Sequence, residues 1–531
     1  MDRFTRTIVS SLALAVFLAY TASAEELTDA ESTVTYPASY FAQFDPISVQ
    51  DMLNRILGIT LVLDSSVGLD GSTFVDNRRG LGAGENQILI NGKRVAGKEN
   101  EGRSQLSRIA SSRVDYIEII RGTSGDMDVR GSGQVINIVL LAAASSSSLA
   151  AEFKVDRYHN GTFVPGGSLS YSDQIGDLNV LFSIEADSNY EHRVRYETSV
   201  NGDGSPNDAF DQTETRDQSK YTFNTNLGYQ LSENDRIHLN ALYSENDPPA
   251  KTQRQITDFA STPASVILER EHVAAERDDW EFGGDYEHKF GDSSKYKFLF
   301  IVNDKDMNSL RERFARDGPG AAEVKNLFLE SGSRTRERIT RTSYTRSLFD
   351  SQDVEIGLER AQTILDSNLA MGIASSTGVP SPALGGLVPV VLPNSNSTVE
   401  EMRYEVFAVH NWQLNPRMSL ESTLIVESSE IEQSGDVSNK RDFDFIRPKL
   451  DYRFDITPSL QLRATIAKDV SQLRFSDFVA STDSMDVDRD AVSGNPELVQ
   501  EQAWQYELNL EYRLPDDGGV LKSRFFYHDV E

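Results

Sequence analysis

The sequence contains no cysteine among its 531 residues, which excludes disulfide bonds, thiolate metal sites and lipid attachment to an N-terminal cysteine. Its seven histidines are scattered, and none has the HExxH spacing of a zinc protease. No nucleophile and base form a recognisable catalytic pattern, and no cofactor motif stands out, so we expect neither an enzyme nor a bound cofactor. The net charge of −30 argues against nucleic acid as a partner.

Long apolar runs are also missing after the N-terminus. The first 24 residues contain two arginines, an apolar stretch from Ile8 to Tyr20 and the small-residue ending Ala22-Ser23-Ala24. This is the pattern of a secretory signal peptide, and we predict cleavage after Ala24. No later stretch approaches the 18 or so continuous apolar residues of a spanning helix. The mature chain is therefore expected to be periplasmic, secreted or an outer-membrane barrel.

From about residue 148, apolar and polar residues alternate with the period of two that is typical of β-strands. In residues 503–514, AWQYELNLEYRL, the aromatic and leucine side chains fall on one face and the polar side chains on the other. Residues 220–231, 236–243 and 459–469 alternate in the same way. The predicted strands are about 10–14 residues long, which is enough to cross a membrane when the strands are tilted.

Two further features favour a transmembrane β-barrel over a soluble β-protein. Tyr, Trp and Phe lie near the ends of the apolar faces, as in the aromatic girdles of a barrel. Tight turns such as LSEND, LNPR and ITPS alternate with long polar loops, which matches short periplasmic turns and longer outer loops. The predicted long loops are residues 190–218, 247–277, 365–400 and 476–502. The loop 365–400 is rich in Gly, Ser and Pro and is predicted to be mobile.

Residues 25–147 lack this alternation and predict a small mixed α/β domain. The stretch SVQDMLNRIL (48–57) predicts a short helix, with Ser48 as the N-cap and Asp51 three residues later. SQLSRIA (104–110) predicts another short helix, and NQILINGKRV (86–95) predicts a strand running into an Asn-Gly hairpin turn. The runs VDYIEII and QVINIVL predict two strands joined by a glycine-containing loop.

The stretches ILINGKRV, RIASSRVDYIEIIRG and GSGQVINIVL follow one another closely, and together they resemble the plug signature of the TonB-dependent outer-membrane receptors. GNPELVQEQAWQYELNLEYRLP (494–515) is similar to the motif that opens a late barrel strand in that family. The resemblance implies a mainly β fold: a transmembrane antiparallel β-barrel, of about 22 strands when complete, with an N-terminal mixed α/β plug. The structural hallmark residues of the plug would be Arg121, Gly122, Gly131, Gly133 and Asn137.

On this reading the chain divides into four parts. These are a signal peptide (1–24), an N-terminal leader (25–40), a plug domain (41–147) and a transmembrane barrel (148–531). From 148 onward we count roughly 16–18 plausible strands, fewer than the about 22 of a plugged transporter. Barrels of the family end on a strand with a terminal aromatic residue, whereas residue 531 is Glu. We therefore expect the barrel to be truncated at its C-terminal end and unclosed.

The resemblance also implies an energy-coupling segment, the TonB box, near the mature N-terminus. Such a segment is captured by strand addition to the periplasmic protein TonB. An ordinary flexible leader is the alternative. The candidate residues favour an extended chain and precede Pro37; they are Thr33, Val34, Thr35 and Tyr36.

Ligand candidates come from the loop NRRGLGAGENQ (77–87), which the resemblance places at the apex of the plug. They are Arg78, Arg79 and Asn86. The two guanidinium groups suit an anionic ligand such as a carboxylate-bearing siderophore, or alternatively pair with acidic residues of the lumen. The three glycines of this loop do not have the spacing of a dinucleotide-binding fingerprint.

The segment DVDRDAVSGNPE (486–497) partly matches a calcium-loop template. The matching residues are Asp486, Asp488, Asp490 and Glu497, at template positions 1, 3, 5 and 12. Position 6, where the template requires glycine, is alanine. We interpret the segment as an acidic outer loop, with a bound divalent cation as the alternative.

The function that the resemblance implies is import of a scarce nutrient, such as a siderophore, cobalamin or an oligosaccharide, across the outer membrane of a Gram-negative cell. The implied partners are TonB with ExbB and ExbD of the inner membrane, outer-membrane lipid and lipopolysaccharide, and a small-molecule or oligomeric ligand. The alternative is a non-transporting barrel: an adhesin, a scaffold or a degenerate receptor fragment. The identity of the ligand is not encoded in any motif that we recognise.

Overall fold

A computed structural model describes residues 33–46, 48–56, 87–90, 93–94, 106, 109, 111–121, 134–141, 147–291, 294–349, 351–457, 459–482, 491–492, 494–514 and 519–531. Two sheets account for most of these residues: a small one of five strands and a large antiparallel wall. Within the described ranges no helix has both the length and the apolar character needed to cross a membrane.

The small sheet is the plug predicted for the N-terminal region. Its strands are β1 (Thr33–Pro37), β2 (Gln87–Ile90), β3 (Lys93–Arg94), β4 (Val114–Arg121) and β5 (Gln134–Leu140). They are ordered β1-β4-β5-β2-β3, with β2 parallel to β5 and the other pairs antiparallel. The predicted β2–β3 hairpin and the predicted β4–β5 pair are confirmed. Strand β1 belongs to this sheet, although its residues fall within the predicted leader 25–40.

Two short helices accompany the plug sheet, α1 (Ala38–Phe41) and α2 (Val49–Leu53). The predicted cap of α2 is confirmed: the Ser48 hydroxyl accepts the Asp51 N–H, and the Asp51 carboxylate accepts the Ser48 N–H. The helix is shorter than the predicted 48–57. The N–H groups of Arg55 and Ile56 bond to carbonyls three residues back, which tightens the chain and ends the α-helix.

The wall is built from long antiparallel strands. They are β6 (Ser148–Arg157), β7 (Phe163–Ile175), β8 (Leu178–Val200), β9 (Pro206–Gln230), β10 (Asp235–Asp247), β11 (Ala250–Asp258), β12 (Ser265–Lys289), β13 (Ser294–Asp317), β14 (Val324–Phe349), β15 (Gln352–Ile373), β16 (Val388–Val390), β17 (Asn396–Asn415), β18 (Met418–Gly435), β19 (Asn439–Thr457), β20 (Leu460–Val470), β23 (Gln502–Arg513) and β24 (Val520–Val530). Strands β21 (Ser481–Thr482) and β22 (Ala491–Val492) pair antiparallel in a separate two-stranded sheet.

Strands β10 and β11 occupy one position in the wall, because both pair with β9 on one side and with β12 on the other. Pro248 and Pro249 separate them, and proline cannot donate a ladder hydrogen bond. The strand order forms a ring in which β24 lies next to β6. Among the described residues, β24 has a ladder register with β23, and β6 has one with β7. Strand β17 has its register with β15, beside the short β16.

The alternation predicted from the sequence is confirmed along the wall. In β17, Glu401, Arg403 and Glu405 are buried on the inner face, whereas Tyr404 and Val406 are exposed on the outer face. Outward aromatic residues recur on β9, β10, β12 and β23. An apolar outside and a polar inside are the pattern of a transmembrane barrel.

The strands are much longer than predicted; two of the predicted loops are largely strand, and a third is strand in part. Residues 190–218 lie mostly in β8 and β9, and residues 247–277 lie mostly in β11 and β12. Within 365–400, β15 continues to Ile373, β16 pairs with β15, and β17 begins at Asn396. The loop predictions are wrong for 190–218 and 247–277 and for the ends of 365–400, because these strand segments have polar residues on both faces. Backbone hydrogen bonds hold these segments in the ladders, and such bonds do not require apolar and polar residues to alternate in the sequence.

The plug core lies against the inner face of the wall. Val49, Met52 and Leu53 of α2 pack with isoleucines of β4 and β5 in one buried cluster. Leu181 of β8 packs against this same cluster. The plug is therefore in contact with the wall at β8.

Candidate functional site

Strand β1 contains the predicted TonB box and is held in the plug sheet by β4. Its register pairs Val34 with Ile119 and Thr35 with Glu118. Tyr36 is only 6% exposed, and its ring contacts that of Tyr40 with centroids 5.2 Å apart. The segment is extended, as predicted, and it is folded into the plug.

Among the described residues, β1 is the edge strand of the plug sheet. Its only neighbour there is β4, which lies on one side of it. Thr35 is exposed, whereas Tyr36 is buried. Five residue pairs hold the strand in place, so removing β1 breaks one short ladder and exposes one aromatic ring.

The plug hallmark at Asn137 is a buried cross-strand contact. Asn137 lies opposite Glu118 in the β4–β5 register, and its Nδ2 donates a hydrogen bond to Glu118 Oε2 at 2.8 Å. Arg121 lies at the end of the same pair of strands, opposite Gln134. The other hallmark residues and the predicted apical ligand residues lie outside the described residues: Gly122, Gly131, Gly133, Arg78, Arg79 and Asn86.

The connection between β20 and β23 folds inward onto the wall, which the sequence did not predict. Phe475, Phe478 and Val479 form a buried cluster with inner-face residues of three strands. Those partners are Leu365 of β15, Val399 of β17 and Ile431 of β18. The apolar residues of FSDFVA (475–480), within an otherwise polar stretch, are the sequence feature that could have predicted this contact.

We call the connection between β20 and β23 the inner loop; it comprises the described residues of 471–501. Polar contacts also hold the inner loop against the wall. Gln433 Nε2 donates to the Phe478 carbonyl at 3.0 Å, and Asn394 Nδ2 donates to the Gly494 carbonyl at 3.1 Å. A Cβ on Gly494 would lie 2.1 Å from the carbonyl carbon of Phe478. Glycine is therefore required where the two limbs of the inner loop cross.

The calcium-loop candidates are not brought together in the described structure. Asp486, Asp488 and Asp490 lie outside the described residues. Glu497 is exposed, and its N–H bonds to Asn495 Oδ1 at 2.9 Å. Among the described residues no group of three or more His, Asp or Glu side chains is placed to hold a metal ion.

The inner face of β15 to β19 carries a network of buried ion pairs. Arg403 lies 3.2 Å from Glu359 and 3.3 Å from Glu405. Arg447 lies 2.9 Å from both Glu405 and Glu427. Each of these charges has an oppositely charged neighbour within the wall, so removing one partner would leave another charge buried and unpaired.

Above the wall, the turn between β18 and β19 holds an ionised carboxylate. Asp436 accepts the backbone N–H of Asn396 at 2.9 Å and the hydroxyl of Ser395 at 3.0 Å. These two hydrogen bonds hold the pKa of the Asp436 carboxyl below its ordinary value. The turn is thereby tied to the start of β17.

Comparison with known families agrees with this architecture. Residues 26–134 match the TonB-dependent receptor plug domain, and residues 235–531 match the TonB-dependent receptor-like β-barrel. The barrel match alone covers more than half of the chain. No curated protein gave a match to the sequence.

The chain is similar in fold to a solved copper transporter at low sequence identity, and two receptors match with lower TM-scores. The copper transporter OprC matches with a TM-score of 0.51 and 13% identity, over 95% of this chain and 72% of its own. The hemophore receptor HasR of Serratia marcescens matches with a TM-score of 0.48 and 12% identity, over 94% of this chain and 73% of its own. The ferric-catecholate import receptor Fiu of E. coli K12 matches with a TM-score of 0.48 and 13% identity, over 96% of this chain and 76% of its own.

Members of this family are outer-membrane receptors that take up small-molecule nutrients in partnership with TonB. A plug sheet in contact with the inner face of an antiparallel wall, with apolar residues outside and polar residues inside, is the architecture that the family matches describe. The chain belongs to the TonB-dependent receptor family of the Gram-negative outer membrane.

Proposed function

We propose that this receptor binds a scarce nutrient, such as a siderophore, cobalamin or an oligosaccharide, at its outer mouth and imports it into the periplasm. In this proposal β1 is the TonB box. Ligand binding weakens the β1–β4 ladder, and the freed strand adds to TonB. ExbB and ExbD supply the energy of the inner-membrane proton gradient, and outer-membrane lipid and lipopolysaccharide surround the barrel.

The observation that carries the proposal is the position of β1 at the edge of the plug sheet. An edge strand has unpaired backbone groups along one side, which is the arrangement that strand addition uses. Its exchange from β4 to a partner strand replaces one set of backbone hydrogen bonds by another. The free-energy cost of release is therefore offset by the new pairing.

In this proposal each part of the chain has a role. Residues 1–24 act as the signal peptide, 41–147 as the plug and 148–531 as barrel wall. The predicted leader 25–40 would then supply the coupling strand at its C-terminal part. Arg78, Arg79 and Asn86 remain our candidates for ligand contact at the plug apex, and Asn137 with Arg121 remains a structural element of the plug.

Cysteine cross-linking tests the coupling step, because the native chain has no cysteine. The variant is Thr35→Cys, whose side chain is exposed on β1, and the matched control is Ser39→Cys, which is exposed on α1. Each is expressed in cells with a TonB that carries a single cysteine in its receptor-binding strand. We expect a disulfide-linked product for Thr35→Cys and much less for Ser39→Cys.

Equal products from the two positions, or no product from either, would contradict the assignment of β1 as the TonB box. A receptor that folds and reaches the outer membrane but never cross-links would instead support the non-transporting alternative. Heat-dependent mobility of the barrel on gels verifies that each variant is assembled before cross-linking is compared.

A further inference from the structure

The outer face of the wall contains an apolar groove that crosses β14, β15, β17 and β18. It has a volume of about 530 Å³, and its larger lining residues are Tyr344, Ile356, Leu358, Val406, Leu424 and Val426. Smaller lining residues lie between them in the ladders. Ala408 is in register with Ile356 and Leu424, and Thr342 is in register with Leu358. The groove is therefore a depression in which small side chains are flanked by large ones.

This groove faces the membrane. Ile356, Leu358 and Val406 are each more than half exposed. Glu359 and Glu405, which alternate with them along β15 and β17, are buried on the inner face. The outward apolar side chains of a transmembrane barrel lie in hydrocarbon. A lipid acyl chain therefore borders the groove, and it gains dispersion contacts by entering it.

Two arginines, which we call the outer arginines, lie on the same face immediately beyond the groove. Arg360 follows Leu358 on the outer face of β15 and is in register with Tyr404. Arg338 of β14 is in register with Gln362, the next outer-face residue of β15. Arg338 is exposed and Arg360 is half-buried. Within the described ranges, neither guanidinium group has a hydrogen bond, an ion pair or an aromatic ring as its partner.

Carboxylates on the same outer face have other partners. Asp304 lies 2.6 Å from Arg334, and Asp366 pairs with Arg336. Glu400 accepts an amide hydrogen bond at 2.7 Å. The outer arginines are diagonal neighbours across the β14–β15 ladder, about 7–8 Å apart, so a single phosphate group can contact both. Their charge favours an anionic partner, because an unpaired charge at the edge of hydrocarbon is costly.

The register places the outer arginines at the outer surface of the membrane. Strands β14 and β15 are joined by residues 350–351, a connection of the short kind that faces the periplasm. Arg338 precedes the end of β14 by eleven residues, and a tilted strand crosses the membrane in about 9–11 residues. Tyr404, beside Arg360, is an exposed aromatic residue of the kind found where hydrocarbon meets headgroups. The groove extends from the outer arginines into the hydrocarbon.

We propose that the groove and the outer arginines form a binding site for lipid A, the phosphorylated and acylated anchor of lipopolysaccharide. One phosphate group contacts Arg338 and Arg360, whose guanidinium groups suit bidentate binding of phosphate oxygens. One acyl chain fills the groove beside Ala408. A phospholipid of the periplasmic leaflet has its phosphate at the opposite surface, beyond the reach of these arginines. The site is separate from nutrient import and does not depend on it.

Binding of purified bisphosphorylated lipid A to the full receptor tests the site. The receptor is extracted from outer membranes in detergent and freed of lipopolysaccharide, and its affinity for lipid A is measured by titration. The variant combines Arg338→Gln with Arg360→Gln. The matched control is Arg346→Gln, since Arg346 is an exposed arginine on the same face of β14 at its periplasmic end. We expect about tenfold weaker binding by the double variant and unchanged binding by the control.

The substitution Ala408→Phe tests the groove while both outer arginines are intact. We expect it to weaken the binding of lipid A, because the added ring occupies the space of an acyl chain. Heat-dependent mobility on gels verifies that every variant is assembled. If the double variant does not assemble, Ala408→Phe decides, and an unchanged affinity for lipid A would overturn the proposal.

Equal affinities of the native receptor and the double variant would also overturn it. An equal loss with Arg346→Gln would do the same, because it would show a general effect of charge. Phosphatidylglycerol in place of lipid A distinguishes the two sources of a phosphate group, and equally tight binding of both would overturn the assignment to lipid A. None of these results changes the cross-linking of Thr35→Cys to TonB, so the lipid A site and the import function fail independently.

Discussion

At the scale of single residues, the inner wall is shaped by glycine as much as by large side chains. A Cβ at Gly357 would lie 2.2 Å from Cζ of Phe407 and 2.6 Å from the carbonyl oxygen of Thr342. The ring of Phe407 occupies that space, and the Arg341 guanidinium lies 4.4 Å from the ring centroid. Gly357 therefore permits an aromatic residue and a cation to pack inside the wall.

The substitution Gly357→Ala should destabilise the barrel by about 1–3 kcal/mol, because the added methyl group forces the Phe407 ring or the backbone to move. The matched control is Gly228→Ala, where a Cβ would meet its nearest neighbours at 3.6–3.7 Å, an ordinary contact. The midpoint of heat-induced unfolding on gels measures both. A similar midpoint for the two variants would show that Phe407 adjusts freely.

Acid should loosen the turn that contains Asp436. Its folded pKa is lowered by the hydrogen bonds from Asn396 and Ser395, so the ionised form contributes stability above the unfolded pKa of about 3.9. That contribution is lost as the pH falls through the lowered folded pKa. Asp436→Asn lacks this titration.

The test compares thermal unfolding midpoints of the native protein and Asp436→Asn at pH 6 and pH 3. We expect the native protein to be the more stable of the two at pH 6, and the difference to shrink at pH 3. A difference that stays constant with pH would mean that the carboxylate contributes through its shape alone and not through its charge.

At the scale of elements, the plug strands and the membrane-level part of the wall could be predicted from the sequence, and the upper part could not. The cap at Ser48 and the alternation in 503–514 are local patterns, and the structure has both. The upper halves of β8 and β9 carry polar residues on both faces, so nothing in their sequence separates strand from loop. The docking of β1 on β4 joins residues about 85 positions apart, which no local pattern encodes.

The inner loop is also an element-scale feature, and Phe478 is its main anchor. Phe478 is 2% exposed and packs in the cluster with Val399 and Ile431. Phe478→Ala should detach the loop from the wall at a cost of about 3–5 kcal/mol, because a large buried ring is lost. Limited proteolysis of intact cells should then cleave within 471–501.

The control for this experiment is Phe259→Ala, since Phe259 lies in the connection after β11 and is 43% exposed. Its removal should leave the proteolytic pattern unchanged. If both variants resist cleavage equally, the polar contacts of Gln433 and Asn394 hold the inner loop without the ring.

At the scale of the whole molecule, the two faces of the wall have opposite tolerance for charge. The inner face accommodates Arg403 and Arg447 because carboxylates surround them, whereas the outer face carries Tyr404, Val406 and Leu358. A charge on the outer face would lie in hydrocarbon with no partner. Whether the wall tolerates a charge at a given residue therefore depends on the face that the residue occupies more than on its neighbours in the sequence.

Val406→Arg should therefore reduce assembly into the membrane, with a cost of up to about 2–4 kcal/mol for an arginine near the bilayer midplane. Val391→Arg is the matched control, because Val391 is 92% exposed in the connection between β16 and β17. The fraction of heat-modifiable barrel in outer membranes measures the effect. Normal assembly of Val406→Arg would place that part of β17 outside the hydrocarbon.

The length of the strands has a consequence for what can reach the receptor at all. Strand β14 has 26 residues, which at about 3.3 Å per residue is far more than a tilted strand needs to cross a core about 30 Å thick. The rim above the lipid is thus a stiff collar that rises high over β8 to β15 and low over β20 to β24. Because backbone ladders hold this collar in shape, it limits the width and the orientation of the molecules that can enter before they contact any binding side chain.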